Sequence, residues 1–154
     1  MDSLSHIDEH GRAKMVDVSE KQTTKRTAKA EAIVKLAEAH LSAINNNPKG
    51  DVFGVARVAG IQAAKSTAFL IPLCHSLPLT SVSIDFEHKD SEIIVICTAQ
   101  AESKTGVEME SLVGATVSAL TLYDMLKSAG HGIEIQSIRL LEKTGGKSDW
   151  HVSR

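Results

Sequence analysis

The stretch from Lys104 to Lys127 constrains this chain more than any other. It opens as Lys104-Thr-Gly-Val-Glu-Met-Glu110, runs through an apolar segment and closes on Tyr123-Asp-Met-Leu-Lys127. From Ser111 onward Leu112, Val113, Val117, Leu120 and Leu126 recur at helical spacing, and Gly130 stands where a helix terminator belongs. Read as extended, Val107 to Glu110 sends Glu108 and Glu110 to one face and Val107 and Met109 to the other. Two carboxylates on one face repel, so each pKa is expected to rise unless a cation sits nearby. Asp124 and Lys127 form an i, i+3 pair on the last turns of the predicted helix.

Glu110 and Asp124 are fourteen positions apart, roughly 20 Å along a continuous helix. One small site in one subunit can hardly use both. Between them lie Gly114, Ala115, Ser118 and Ala119, small enough to admit another backbone. An isologous antiparallel pairing of two copies, centred near Val117, would carry Glu110 of one chain towards Asp124 of its partner. The competing expectation is that the small residues pack on this chain's own sheet.

A chain of 154 residues is long enough for one domain with a genuine core. Its net charge of −2 and its 3% aromatic content argue against nucleic-acid binding, which needs a basic field or stacking surfaces. Any anion site must therefore be local. Cys74 and Cys97 form no CxxC pair, no apolar run reaches membrane-span length, and residues 1–14 lack a signal-peptide core. A cytoplasmic protein is expected.

In order, residues 1–14 read as a mobile arm, residues 15–147 as a single domain and residues 148–154 as a tail. Met15 to Val18 alternates like a short strand. The Ala-rich start of Thr23–Ile44 alternates too, whereas Val34 to Ile44 reads as a helix. Asn45 to Gly50 is a turn by composition. Asp51 is placed to cap a helix that should end near Phe69, because Pro72 disfavours a helical Ile71. Leu79–Phe86 and Glu92–Ala101 read as strands around a Lys89-Asp90-Ser91 turn, and Ile133–Leu141 as another strand with a break in phase near Ser137 and Ile138. Strands interleaved with helices give an α+β class, helices on one face of an antiparallel sheet.

Single candidates are weak. His75, beside Cys74 in a Pro-bracketed loop, serves equally as an acid/base or anion contact and as an ordinary hydrogen-bonded loop histidine. Lys49 precedes a helix N-terminus, where an anion is attracted, but a solvated lysine is the commoner case. Glu108 and Glu110 suit Mg²⁺ binding or proton transfer, or a solvated face. No HxxxH or HExxH spacing points to a resident metal. Lys143-Thr-Gly-Gly-Lys147 departs from the phosphate-loop pattern and reads as a flexible tail. Together, the lysines, the imidazole and the carboxylates suit an anionic substrate and proton shuttling.

Six segments in the same order carry a resemblance. They are Met15-Val-Asp-Val18, Lys49-Gly-Asp-Val52, Ala59-Gly-Ile-Gln-Ala-Ala-Lys65, Ile71-Pro-Leu-Cys-His75, Lys104 to Glu110 and Tyr123 to Lys127. With them the chain resembles the cyclic pyranopterin monophosphate synthase family of molybdenum cofactor biosynthesis, from about Met15 to Lys147. The resemblance implies a ferredoxin-like α+β subunit, a hexamer built as a trimer of dimers, and an active site at the dimer interface. It implies a lyase that converts 3′,8-cyclo-7,8-dihydroguanosine 5′-triphosphate to cyclic pyranopterin monophosphate and releases pyrophosphate. By the same resemblance, Asp124 and Lys127 fall on catalytic positions. Lys49, Leu73, Cys74, His75, Glu108, Met109 and Glu110 fall on substrate-contacting ones. No cofactor is expected, with Mg²⁺ alongside the triphosphate left open. Two departures are visible: Ser76 stands where the family commonly has Pro, and Val113-Gly114 replaces the usual Thr/Ala. The alternative is a non-catalytic ferredoxin-like module that binds phosphorylated metabolites. Such a binder needs cations but has no use for a buried proton-transfer carboxylate.

Overall fold

A computed structural model describes residues 6–152. Residues 1–5 of the expected arm, and residues 153 and 154, lie outside the described residues. Strand β1 (Thr24–Lys35) is followed by the short helix α1 (Glu38–Ala43), then by α2 (Val52–Lys65) and α3 (Thr67–Leu70). Strands β2 (Leu79–Lys89) and β3 (Glu92–Ser103) form a hairpin, α4 (Glu108–Leu126) crosses back, and β4 (Glu134–Thr144) and β5 (Trp150–His151) complete the sheet. The sheet order is β2-β3-β1-β4-β5 and the pairings are antiparallel. Without β5 this is the βαββαβ arrangement of the ferredoxin-like class that the resemblance implied, within the α+β class expected from the alternation of strands and helices.

Alternation decides which sheet face is covered. Ala28, Ala30, Ala32 and Val34 of β1 are fully buried, as are Val95, Cys97, Ala99 and Ala101 of β3. Leu122, Met125 and Leu126 of α4 and Val52 and Ala56 of α2 belong to the core that forms over this face. Small side chains on the central strand allow α4 to lie close to it. The two long helices also meet each other directly. A Cβ built on Gly60 would stand 2.9 Å from the Gly114 carbonyl oxygen, and one on Gly114 would stand 2.6 Å from Cys97 Sγ. Gly114, Ala115, Ser118 and Ala119 are all buried within this chain. The small residues therefore admit α2 and β3, not a second copy's backbone, which settles the earlier choice in favour of internal packing.

Local chemistry sets the boundaries. Asp51 Oδ1 accepts from Gly54 N at 2.9 Å and caps α2 as expected. The helical run breaks earlier than Phe69, at Ser66, where Ser66 Oγ donates to Gln62 O and Thr67 Oγ1 donates to Ala64 O. The helix expected from Val34 is shorter and later. Val34 is paired with Ile93 on one side and Ile135 on the other, so the sheet extends to Lys35. Met15–Val18 joins no ladder. Asp90 adopts a φ of 53° in the β2–β3 turn. The phase break in β4 is a bulge: Val34 faces Ile135 and Ile33 faces Ser137, leaving Gln136 unpaired. Lys143 and Thr144 belong to β4, and β5 pairs back on Glu142 and Lys143. The expected flexible tail at 143–147 is instead the turn of a hairpin, with Gly145 N donating to Asp149 Oδ1 at 3.0 Å.

Candidate functional site

Helix α4 carries candidate residues at both ends. At its N-terminus the expected strand does not form, because the helix already begins at Glu108. Two residues along a helix point to nearly opposite sides, so Glu108 and Glu110 separate. Glu108 turns outward, with Oε1 3.2 Å from Lys143 Nζ. Glu110 turns inward and is 4% exposed. Burial, reinforced by the charge of Glu108, pushes the Glu110 carboxyl up to about 7, although its own backbone amide pulls the other way. Acidic residues in a first turn also complement the helix dipole, a signal that the strand reading passed over.

Leu73, Cys74 and His75, on the loop between α3 and β2, line the same cleft as Glu108, Met109 and Glu110. Its volume is about 410 Å³, and Val16, Val18 and Lys21 of the N-terminal segment close one side. His75 Nε2 lies 2.7 Å from Val16 O. A carbonyl can only accept, so this nitrogen carries the proton and Nδ1 is left for other partners. Lys104 Nζ donates to Ser19 O at 2.6 Å and ties down the same segment. Burial first, then the charge of Glu110, raises the Cys74 pKa, which keeps the sulfur a thiol.

A second cleft of about 530 Å³ adjoins the first and shares Lys21, Thr105, Gly106 and Glu108 with it. Lys21, Arg26, Lys104, Lys143 and Lys147 line it, around the Gly145-Gly146 turn. Sequence reasoning missed this basic cleft. Lys21 and Arg26 stood in no motif, and the 143–147 turn resembled no phosphate loop. Only the sheet register and the β4–β5 hairpin bring these cations together.

At the other end of α4, Asp124 Oδ1 is 2.7 Å from Lys127 Nζ and Oδ2 is 3.3 Å from Lys49 Nζ. Lys49 Nζ also donates to the Asp124 carbonyl at 2.7 Å. The hydrogen bond from Lys127, then that from Lys49, holds the Asp124 carboxyl below the usual aspartate range, and Asp124 in turn raises Lys127. The Asp124 side chain is 58% exposed in the single chain. The buried carboxylate anticipated here is thus Glu110, not Asp124. The structure brings together Leu73, Cys74, His75, Glu108, Met109 and Glu110 as one group and Lys49, Asp124 and Lys127 as another. The length of α4 keeps the two groups roughly 20 Å apart.

The MoaC family model matches residues 15–146. The chain belongs to the MoaC family. Both groups of residues and all five cations of the basic cleft except Lys147 fall inside the matched range. Membership places the chain among the enzymes of molybdenum cofactor biosynthesis, which act on a small-molecule substrate. Among the described residues, no helix is long and apolar enough to cross a membrane, and no group of three or more His, Cys, Asp or Glu side chains is gathered to hold a metal.

Proposed function

We propose that this MoaC-family chain converts 3′,8-cyclo-7,8-dihydroguanosine 5′-triphosphate to cyclic pyranopterin monophosphate and pyrophosphate, in a site shared by two subunits. The observation that carries the reading is the division of α4. One end has a buried carboxyl poised near neutrality beside a basic cleft, and the other has an ionised aspartate held by two lysines. An antiparallel pairing of two copies along α4 would join one chain's Glu110 end to its partner's Asp124 end. Leu120 and Tyr123 on the outward face of α4, 53% and 42% exposed, offer apolar surface for it. Assembly of three such dimers into a hexamer completes the reading.

Each residue type has work to do. The triphosphate carries several negative charges, and Lys21, Arg26, Lys143 and Lys147 can offset them. As the cyclic phosphate forms, a sugar hydroxyl oxygen bonds to the α-phosphorus and the bond to pyrophosphate breaks. The hydroxyl proton passes to a carboxylate, and the nearby lysines stabilise the departing pyrophosphate. Opening and re-forming C–N bonds in the dihydropurine needs protons given and removed in turn. Glu110, titrating near neutrality, suits both directions, and Asp124 is a base beside the Lys127 ammonium. Leu73, Cys74, His75 and Met109 contact the base and sugar, and Lys49 supplies a further cation. No resident cofactor is part of the reading; Mg²⁺ would enter with the triphosphate.

The test is to supply the cyclised nucleotide and follow pyrophosphate together with the oxidised pterin. Wild type turns it over, and Asp124→Asn is slower by about a hundredfold or more, as expected for loss of a proton-transfer group. An inactive wild type, or Asp124→Asn as fast as wild type, overturns the reading and leaves the metabolite-binding module.

A further inference from the structure

The turn carrying Lys49 has no regular structure between α1 and α2, yet its ammonium meets Asp124 at two atoms. A lysine on such a turn has four rotatable carbons and no built-in preference for one direction. The neighbouring Asn47 removes that freedom at the root. Its Nδ2 donates to Met125 O at 2.7 Å, and its Oδ1 accepts from Lys49 N at 2.9 Å. One side-chain amide thus links the last turn of α4, one residue beyond Asp124, to the backbone of Lys49. The turn is closed behind it by Gly50 N donating to Asn47 O at 3.0 Å, with Gly50 at a φ of 101°. Among the described residues, the side-chain hydrogen bonds from this turn to α4 are those of Asn47 and of Lys49 itself.

We propose that Asn47 is a positioning residue, a clip that sets Lys49 against Asp124. The chemistry explains the residue type. The Met125 carbonyl needs a donor and the Lys49 amide needs an acceptor, and at this reach an asparagine side chain offers both. Met125 O is also one of the carbonyls that a helix end leaves without an intrahelical partner. A residue that only capped α4 would change stability alone, whereas a clip also governs the charge environment of Asp124.

The weight of the clip in turnover rests on the lyase reading, but its geometry can be read without turnover. The Asp124 carboxyl is titrated by carbon NMR in the full chain, in wild type, Lys49→Ala, Asn47→Ala and Asn47→Gln. Asn47→Gln keeps the amide and its polarity, and so the fold, but overshoots both partners by one methylene. Lys49→Ala should raise the Asp124 titration towards that of an ordinary aspartate, with Lys127 still in contact. Both Asn47 variants should raise it by most of the same interval, and Asn47→Ala combined with Lys49→Ala should add nothing more. With the cyclised nucleotide, Asn47→Ala should lose about tenfold in kcat/KM, and the double variant should match Lys49→Ala. Asn47 variants that leave Asp124 titrating as in wild type overturn the proposal, as does a Lys49→Ala that leaves it unmoved. If the titrations move as described and wild type does not turn over, the lyase reading fails and the clip stands.

Discussion

Glu110 and Asp124 are both carboxylates, and their surroundings drive them in opposite directions. Two lysines hold Asp124 ionised at neutral pH, so by itself it does not give up a proton there. Burial takes Glu110 from an ordinary 4.5 to about 7, which makes it the better match for proton exchange near neutrality. The same shift has a consequence for stability. Between about pH 4.5 and 7 the folded state keeps a proton that the unfolded chain has released, so stability falls as pH rises through that window, by about 3 kcal/mol in all. Glu110→Gln keeps the shape and removes the titration. Denaturant unfolding should show it more stable than wild type at pH 8 and nearly equal at pH 4. An equal gap at both pH values would contradict the buried, protonating carboxyl. At this scale the sequence revealed what is local. The Asp51 cap and the Asp124–Lys127 pair were legible because each is contained in one turn of helix. The partners of Lys21 and Arg26 in the basic cleft were not, because Lys104 lies roughly eighty positions away and Lys143 and Lys147, on β4 and its hairpin, more than a hundred.

Helix α4 is the element on which fold and site coincide. Its inner face is cut to fit α2 and β3, with Gly114 against Gly60 and Cys97. Gly114→Ala puts a methyl 2.6 Å from Cys97 Sγ, tighter than a packed core tolerates. The variant should lose about 1–3 kcal/mol of stability in denaturant unfolding despite its better helix propensity. A stability equal to or above wild type would mean that α4 does not lie this close to Cys97 on β3. The same helix shows where pattern reading goes astray. Four alternating residues from Val107 to Glu110 satisfy a strand period, but they equally satisfy the first turn of a helix with acidic side chains at its positive end. Likewise Val34 fits a helical spacing, and its sheet partners Ile93 and Ile135, both remote in sequence, override it.

For the whole molecule, the class, the β2–β3 hairpin and the single covered face followed from alternation and turn chemistry, which are properties of short segments, whereas the pairing of β1 with β3 and β4 did not. What was not legible was the use of small residues on α4. Spacing gives their face but not which neighbour fills it, and α2 and β3 fill it here. The distance between the ends of α4 is independent of that question and still argues for two subunits per site. Subunit mixing tests this most directly. Glu110→Gln and Asp124→Asn proteins, each expected to be about a hundredfold or more slower than wild type alone, are unfolded together in equal amounts, refolded and assayed with the cyclised nucleotide. Random pairing puts half of the chains in mixed dimers, each with one site built from an intact Glu110 and an intact Asp124. The account therefore predicts recovery of about a quarter of wild-type activity. A mixture as inactive as its parents would show that each site is built within one chain, and would contradict it.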